Sequence, residues 1–212
     1  MGTIRKGILG GFSGKVGTVV GGSWKGIAYM RSLPMKVRNP RTLPQMNQRS
    51  KFATTLRFLK PMTALLRTGW KLYANRQTPF NAAMSYTIAN AIKGAYPNYS
   101  IDPSKVLISC GSLASAVNAV AVFDSGAINF EWTDNSGTNN AKPTDKALLA
   151  IVNPTKFETV FDTAGALRAE AAQSVPLPAN WSGDTVEAYL GFISKNGKEV
   201  ADSVYLGSIT VA

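Results

Sequence analysis

The sequence predicts an α+β fold in which a glycine-rich β-hairpin and a basic helical hairpin precede an antiparallel β-sandwich. Three observations carry this prediction: glycines crowd the first 33 residues, apolar residues then recur at helical spacing, and short strand-like runs follow residue 100. The chain has 212 residues, which is enough for one domain or two small ones. We place the boundary where the pattern changes, which gives a basic region over 1–100 and a sandwich domain over 101–212.

The glycine-rich segment, residues 2–33, contains nine of the 19 glycines. β-forming residues lie between them, so we predict a hairpin of 15–20 paired with 23–31, with its turn at Gly21-Gly22. An isolated hairpin is marginally stable in water and should need a partner, either the rest of the chain or another subunit. A flexible tail is the alternative, which the interleaved apolar residues disfavour. The predicted assembly hairpin consists of Val16, Val19, Gly21, Gly22, Trp24, Ile27 and Tyr29.

Residues 34–43 have the composition of an extended, solvated connector, with two prolines and three basic side chains. Thr42 and Pro44 are residue types that cap and begin a helix. We therefore predict helical structure over 44–75, with a kink or a new start at Pro61. The apolar side chains of this segment fall in one arc and are expected in the core: Phe52, Leu56, Leu59, Met62, Leu65, Leu66, Trp70 and Tyr73.

A second helix is predicted from Thr78-Pro79, a capping residue followed by a first-turn proline. Apolar residues from Phe80 to Ile92 recur at helical spacing, and Gly94 suits the position just after the helix. We expect this helix to pack antiparallel on the first. Beyond residue 100, strands are predicted near 104–109, 115–123, 126–133, 146–152, 157–162, 166–173, 184–194 and 199–211, with Asn196-Gly197 in the last turn.

Charge divides the chain at the same place. The first hundred residues contain 16 Lys and Arg and no Asp or Glu, whereas residues 101–212 carry a net charge of −5. An anionic partner such as nucleic acid, an acidic protein or an anionic surface would explain this; solubility, or pairing with the acidic half of a neighbouring copy, would explain it as well. The candidate anion-binding residues are Lys36, Arg38, Arg41, Arg49, Arg57, Lys60, Arg67 and Lys71.

Three resemblances add to this interpretation. Trp132 and Tyr189 resemble the core aromatic residues of fibronectin type III modules, which implies a fibronectin III or immunoglobulin-like sandwich and a binding or spacer role. The segments 10–17, 24–26, 38–42, 48–52 and 58–61 resemble an uncharacterised family widespread in Bacteroidota. Asn-Pro-x-Thr at 39–42, followed by Gln, Arg and Phe, also resembles segments of some phage structural proteins. The family implies no activity.

Composition excludes much catalytic chemistry. The chain lacks His and has one Cys, Cys110, so an internal disulfide, a Cys/His zinc site and a His-activated nucleophile are excluded. The run before Lys15 is similar to a phosphate-binding loop, but Leu9 and Val16 stand where Gly and Ser or Thr are required. Solvated loop carboxylates are favoured over a hard-cation site for Asp134, Asp145, Asp162 and Asp184. We interpret Cys110 as a small buried side chain, and we expect no enzymatic activity, cofactor, metal or small-molecule substrate.

These observations predict a non-enzymatic structural or assembly protein that forms a homo-oligomer and contacts an anionic partner or neighbouring subunits through its basic half. A virion or phage-like particle component fits this description. The alternative is a sequence-independent nucleic-acid-binding protein, because cations on a helix can follow phosphates and no sequence-reading motif occurs. No apolar run approaches the ~20 residues of a membrane span, and no signal peptide is recognised. We therefore expect the protein in the cytoplasm or within a particle.

Overall fold

The computed structural model describes residues 2–4, 7, 10–24, 26–35, 39, 41–75 and 77–212. The chain forms two compact units, Met1–Thr42 and Leu43–Ala212. The first unit is an antiparallel sheet in which the strands follow one another in chain order. Its strands are β1 Thr3–Ile4, β2 Phe12–Val16, β3 Val19–Trp24 and β4 Ile27–Ser32.

The two tight turns of this sheet lie where the backbone needs a glycine. Val16 pairs with Val19 and Trp24 pairs with Ile27, so each turn has two residues. Gly17 and Gly26 occupy these turns with φ of 56° and 82°, a region that residues with a Cβ rarely adopt. Antiparallel strands are present in the predicted segment, but the pairing of 15–20 with 23–31 across a turn at Gly21-Gly22 is wrong, because Val19–Trp24 is a single strand. Those two glycines lie in the middle of β3.

The second unit begins with the predicted helices. The α-helices are α1 Leu43–Leu59, α2 Thr63–Gly69 and α3 Pro79–Asn90, and short 3-10 turns cover Lys60–Met62 and Lys71–Tyr73. Pro61 lies in the first of these turns, which confirms the expected interruption. Thr78 caps α3 as predicted, because its Oγ1 accepts a hydrogen bond from the backbone N–H of Asn81 at 3.2 Å. Gly94 is not the helix end; α3 stops at Asn90, and Gly94 lies in the following strand.

The rest of the second unit is a hairpin and a two-sheet sandwich. The hairpin is β5 Ile92–Ala95 with β6 Asn98–Ile101, which the sequence pattern did not predict. A four-stranded antiparallel sheet has the order β10-β9-β12-β13, and a three-stranded one has the order β11-β8-β7. Their strands are β7 Val117–Asp124, β8 Ala127–Thr133, β9 Lys146–Asn153, β10 Glu158–Asp162, β11 Ala172–Pro176, β12 Thr185–Ile193 and β13 Val204–Thr210.

Most predicted sandwich strands are confirmed within a few residues, and two are not. Residues 104–109 form a 3-10 turn and irregular backbone, although Val106 and Ile108 are buried. The strand predicted over 166–173 lies at Ala172–Pro176 instead, because a 3-10 turn occupies Arg168–Glu170. The strand predicted over 104–109 is wrong because its apolar residues are buried without pairing in a sheet. An apolar run between turn residues indicates a buried segment, whether or not that segment joins a sheet.

The four-stranded sheet is buried on both faces, and this joins the helices to the sandwich. One face packs on the three-stranded sheet, where Trp132 meets the Phe192 ring edge-on at 5.7 Å. The other face, including Leu148 and Tyr189, shares a core with Leu59, Leu66 and other residues of the helices. Tyr189 therefore lies outside the core between the sheets, unlike Trp132. The order of layers is helices, four-stranded sheet, three-stranded sheet.

This shared core contains residues from both sides of the predicted boundary near residue 100. The compact units separate after Thr42, whereas the sequence pattern placed the boundary near residue 100. Pattern and charge do change near residue 100, but the helices before that point cover the sheet after it. A change of secondary-structure type within one chain is therefore not a change of hydrophobic core.

Candidate functional site

The N-terminal sheet carries apolar side chains on both faces without a core beneath them. Among the residues described in this unit, only Gly21 is buried. Trp24, Ile27 and Tyr29 of the predicted assembly hairpin are exposed by 53%, 57% and 48%. Val16 and Val19 are exposed as well, at the edge of the opposite face. The sheet therefore presents the side chains that a binding partner would cover.

One face of this sheet is partly covered by its own chain. The backbone O and the ring of Phe12 lie over Gly21, where a Cβ would stand 2.4 Å and 2.6 Å from them. A Cβ added at Gly11 would clash with the Cβ of Ala28, and a Cβ added at Gly2 would clash with the side chain of Val16. These close approaches explain why glycines stand inside the segment, although the turn predicted at Gly21-Gly22 is not formed.

The other face of this sheet is not covered in this way, and the strand register shows which side chains it carries. Trp24 lies opposite Ile27, Gly22 opposite Tyr29, and Val20 opposite Arg31, so these side chains share one face. The Tyr29 ring covers Gly22, whose added Cβ would lie 3.0 Å from it. Lys15 lies opposite Val20 on the same face, and both Lys15 and Arg31 are exposed. We call this set of Lys15, Val20, Trp24, Ile27, Tyr29 and Arg31 the open sheet face.

The basic residues predicted to bind an anion lie at the surface wherever they are described. Lys36 and Arg38 lie outside the described residues. The other six are exposed: Arg41, Arg49, Arg57, Lys60, Arg67 and Lys71. Two of them contact the sandwich, because the Arg57 guanidinium lies 3.5 Å from the centre of the Phe157 ring and the Lys71 Nζ lies against Gly197. The predicted row is therefore not uniformly free for a ligand.

The helix that carries these cations is less regularly amphipathic than its sequence indicates. Phe52, Leu56 and Tyr73 were expected in the core but are exposed, Phe52 by 49%. The buried residues near them are Thr55, Phe58 and Leu59, because α1 turns a face shifted by one position toward the sheet. Phe52 and Leu56 thus lie beside Lys60 on a mixed apolar and basic surface.

The outer face of the three-stranded sheet carries apolar and acidic side chains, in contrast to the basic surface of the helices. Val120 and Val122 of β7 are exposed by 49% and 60%, while the alternate residues Ala121 and Phe123 pack against the sandwich core. Glu131 lies opposite Val120 and is exposed, and Asp124 extends the same row of β7. The three strands of this sheet contain no Lys or Arg. We call this set of Val120, Val122, Asp124 and Glu131 the acidic sheet face.

The candidate cation ligands do not converge. Among the described residues, no three His, Cys, Asp or Glu side chains come together to hold a metal ion. Asp134 caps its own turn, and hydrogen bonds from Ser136 lower its pKa. Asp162 accepts a hydrogen bond from Gln173 at 2.9 Å. The Asp184 Oδ2 atom lies 2.6 Å from the Lys156 Nζ and 2.7 Å from the Asn153 Nδ2. Hydrogen bonds from these two groups lower the pKa of Asp184, and the one from Lys156 has the larger effect.

Asp145 is not a solvated loop carboxylate, because it is completely buried with Arg168. The guanidinium donates to Asp145 at 3.2 Å, to Asn135 at 2.6 Å and to the backbone O of Ala114 at 2.9 Å. It also stacks 3.8 Å from the centre of the Phe192 ring. The pair joins three loops at one end of the sandwich, and the sequence contained no signal for it.

Cys110 is half-buried, and burial raises its pKa to about 11. The thiol is therefore protonated at neutral pH, as expected for a packing residue rather than a nucleophile. No helix within the described part of the chain combines the length and hydropathy that crossing a membrane requires.

Comparison with known proteins gives a family match. No curated protein and no solved structure matches the chain. The model of the Family of unknown function (DUF6266) matches residues 11–207. The match takes in β2, β3 and β4 of the N-terminal sheet, all three helices and nearly the whole sandwich. The expectation of an uncharacterised family is thus confirmed, and the chain belongs to the DUF6266 family.

Proposed function

We propose that this chain is a non-enzymatic assembly protein whose N-terminal sheet binds neighbouring subunits. The observation that supports the proposal is the lack of burial in that sheet: it exposes Trp24, Ile27 and Met30 and buries only Gly21 among its described residues. Burial of apolar area is the main force that holds a sheet together, and this sheet gains little of it alone. A partner that covers the sheet would supply the missing burial.

The chemistry of the chain favours binding over catalysis. Without His, an acid or base would have to be a carboxylate, a lysine, a tyrosine or the thiol of Cys110. Burial raises the pKa of that thiol to about 11, and the carboxylates of Asp145, Asp162 and Asp184 are engaged by neighbouring side chains. Aromatic and arginine side chains, which this chain exposes, are instead enriched at protein interfaces.

The proposal extends to a repeating structure such as a virion or phage-like particle. The protein would then be located in the cytoplasm or within that particle. A basic half and an acidic half in one chain support it, because copies that pair head to tail form rings or filaments. Seven sandwich strands split four and three also suit the proposed kinship with fibronectin III or immunoglobulin-like spacer modules. We also propose that the family which this chain resembles is widespread in Bacteroidota, a distribution that implies no activity.

Light scattering after size-exclusion chromatography tests the assembly proposal. We expect the wild type to form oligomers whose molar mass rises with concentration. The double variant Trp24→Ser/Tyr29→Ser should shift toward the monomer, because it removes two exposed aromatic side chains without altering a buried residue. The matched control is Tyr96→Ser, which removes an exposed aromatic side chain from the β5–β6 turn. A wild type that stays monomeric throughout the series contradicts the proposal.

The second candidate is sequence-independent binding of nucleic acid, and the absence of any carboxylate before Asp102 favours it. If about four cations contact phosphates on duplex DNA, log K should fall with log salt at a slope of roughly −3 to −4. Lys60→Glu/Arg67→Glu should flatten the slope and weaken every sequence alike, since phosphate contacts carry no base information. The control is Lys195→Glu/Lys198→Glu, at two exposed lysines of the β12–β13 loop. Absence of binding at low salt rejects this candidate.

A further inference from the structure

The open sheet face has the composition of a protein-binding surface. Trp24, Tyr29 and Arg31 belong to the three residue types that most often dominate binding energy. Register places them in one stripe, with Ile27 beside Trp24 and Lys15 beyond Val20. The opposite face is partly occupied by the chain itself, through Phe12 over Gly21. The open sheet face is therefore the side left for a partner.

Charge narrows the choice of partner surface. Lys15 and Arg31 are exposed on the open sheet face, and the first 101 residues contain no carboxylate to neutralise them. Two copies of this face packed on each other would bring Lys15 and Arg31 against their own kind. The mixed surface around Phe52 and Leu56 carries Lys60 and would repel the open sheet face as well.

The acidic sheet face provides both properties that the open sheet face requires. Val120 and Val122 form an exposed apolar row, and the small side chains of Ala127, Ser174 and Ala172 lie on the same face by register. Asp124 and Glu131 are exposed on the same side, and no Lys or Arg lies in these three strands. Two sheets pack face to face at about 10 Å when their side chains interdigitate.

We propose that the open sheet face of one copy docks on the acidic sheet face of a second copy. This inference rests on the proposed assembly function and assigns the two surfaces that meet. Trp24, Ile27 and Tyr29 cover Val120 and Val122, while Lys15 and Arg31 face Asp124 and Glu131. The two surfaces differ, so the contact is heterologous and leaves one free face of each kind at every step, which produces a ring or an open filament.

Charge reversal on each surface tests the inference. The sheet variant is Lys15→Glu/Arg31→Glu, and the sandwich variant is Asp124→Lys/Glu131→Lys. Each variant alone sets like charges against each other, so its dissociation constant should rise at least tenfold and its molar mass in light scattering should fall toward the monomer. An equimolar mixture should recover the wild-type mass, because every open sheet face then finds an acidic sheet face of opposite charge on the other variant.

Controls separate this inference from a general charge effect. Lys195→Glu/Lys198→Glu changes the net charge as much as the sheet variant does and should retain the oligomer. Circular dichroism and thermal melting verify that each variant folds. If the sandwich variant does not fold, Val120→Ser/Val122→Ser replaces it, with the same expected loss of mass.

Two results would overturn the inference while leaving the assembly function intact. The first is a sandwich variant that keeps the wild-type mass while the sheet variant loses it, which would put the partner surface elsewhere. The second is a mixture of folded variants that stays monomeric, which would mean that these charges do not face each other. A wild type that is monomeric at every concentration rejects the assembly function and the inference together.

Discussion

At the scale of single residues, the buried pair of Arg168 and Asp145 has the largest expected effect on stability. Both side chains are completely buried, and Asp145 provides the negative charge nearest the guanidinium. Asp145→Ala leaves a buried charge without its counter-ion, so we expect a loss of about 3–5 kcal/mol in the free energy of unfolding. Urea denaturation followed by fluorescence measures this loss.

The double variant Asp145→Leu/Arg168→Met provides the matched comparison. It removes both charges, and exchange of a buried ion pair for apolar side chains is often close to neutral. We therefore expect it to be more stable than Asp145→Ala. If it is equally unstable or worse, the hydrogen bonds from Arg168 to Asn135 and Ala114 matter more than the charge pair itself.

Asp184 gives stability a dependence on acid pH. Hydrogen bonds from Lys156 and Asn153 lower its pKa in the folded protein. A lowered folded pKa contributes stability that is present above the pKa of the unfolded chain and lost as the pH falls through the folded pKa. The Tm of Asp184→Asn should therefore lie below that of the wild type at pH 7, and the gap should narrow below pH ~4, near the ordinary aspartate pKa. A gap that stays constant down to pH 2 contradicts this assignment.

At the scale of elements, local signals predicted the start of a helix better than they predicted sheet register. Thr78-Pro79 gives the start of α3 because a cap acts within three residues of sequence. The Gly21-Gly22 turn was wrong because a pair of glycines fits both a turn and a close approach, and only the position of Phe12 over Gly21 decides between them. Phe52 and Leu56 likewise look like core residues, yet the sheet packs on the neighbouring face of α1.

The cap of α3 allows a direct test of this local control. Thr78→Ala removes the oxygen that accepts the Asn81 N–H, so we expect α3 to lose stability and the free energy of unfolding to fall by about 1 kcal/mol. Ser85→Ala, at an exposed position inside the same helix, is the control and should change stability by a few tenths of a kcal/mol or less. Equal losses in both variants would mean that Thr78 does not act as a cap.

At the scale of the whole molecule, the sequence indicated the layers but not which of them share a core. The sequence predicts a strand over 184–194 without indicating how many of its faces are buried. Both faces of β12 are buried, because residues of the helices share a core with the side that carries Tyr189. Nothing in the strand itself distinguishes cover by helices from cover by a second subunit. The same holds for the Arg168–Asp145 pair and for the acidic sheet face. Both bring together residues that are distant in sequence, so residue patterns could not predict them.

The shared core predicts which pieces of the chain can fold. A fragment of residues 43–212 keeps both hydrophobic clusters and should melt cooperatively with a mixed helix and strand circular dichroism spectrum. A fragment of residues 101–212 would expose Leu148, Val152 and Tyr189 to water, because Leu59, Leu66 and Trp70 no longer cover them. We expect this shorter fragment to aggregate or to melt without cooperativity. Cooperative melting of 101–212 as a soluble β-rich monomer would instead make the sandwich an independent domain, with the helices only resting on it.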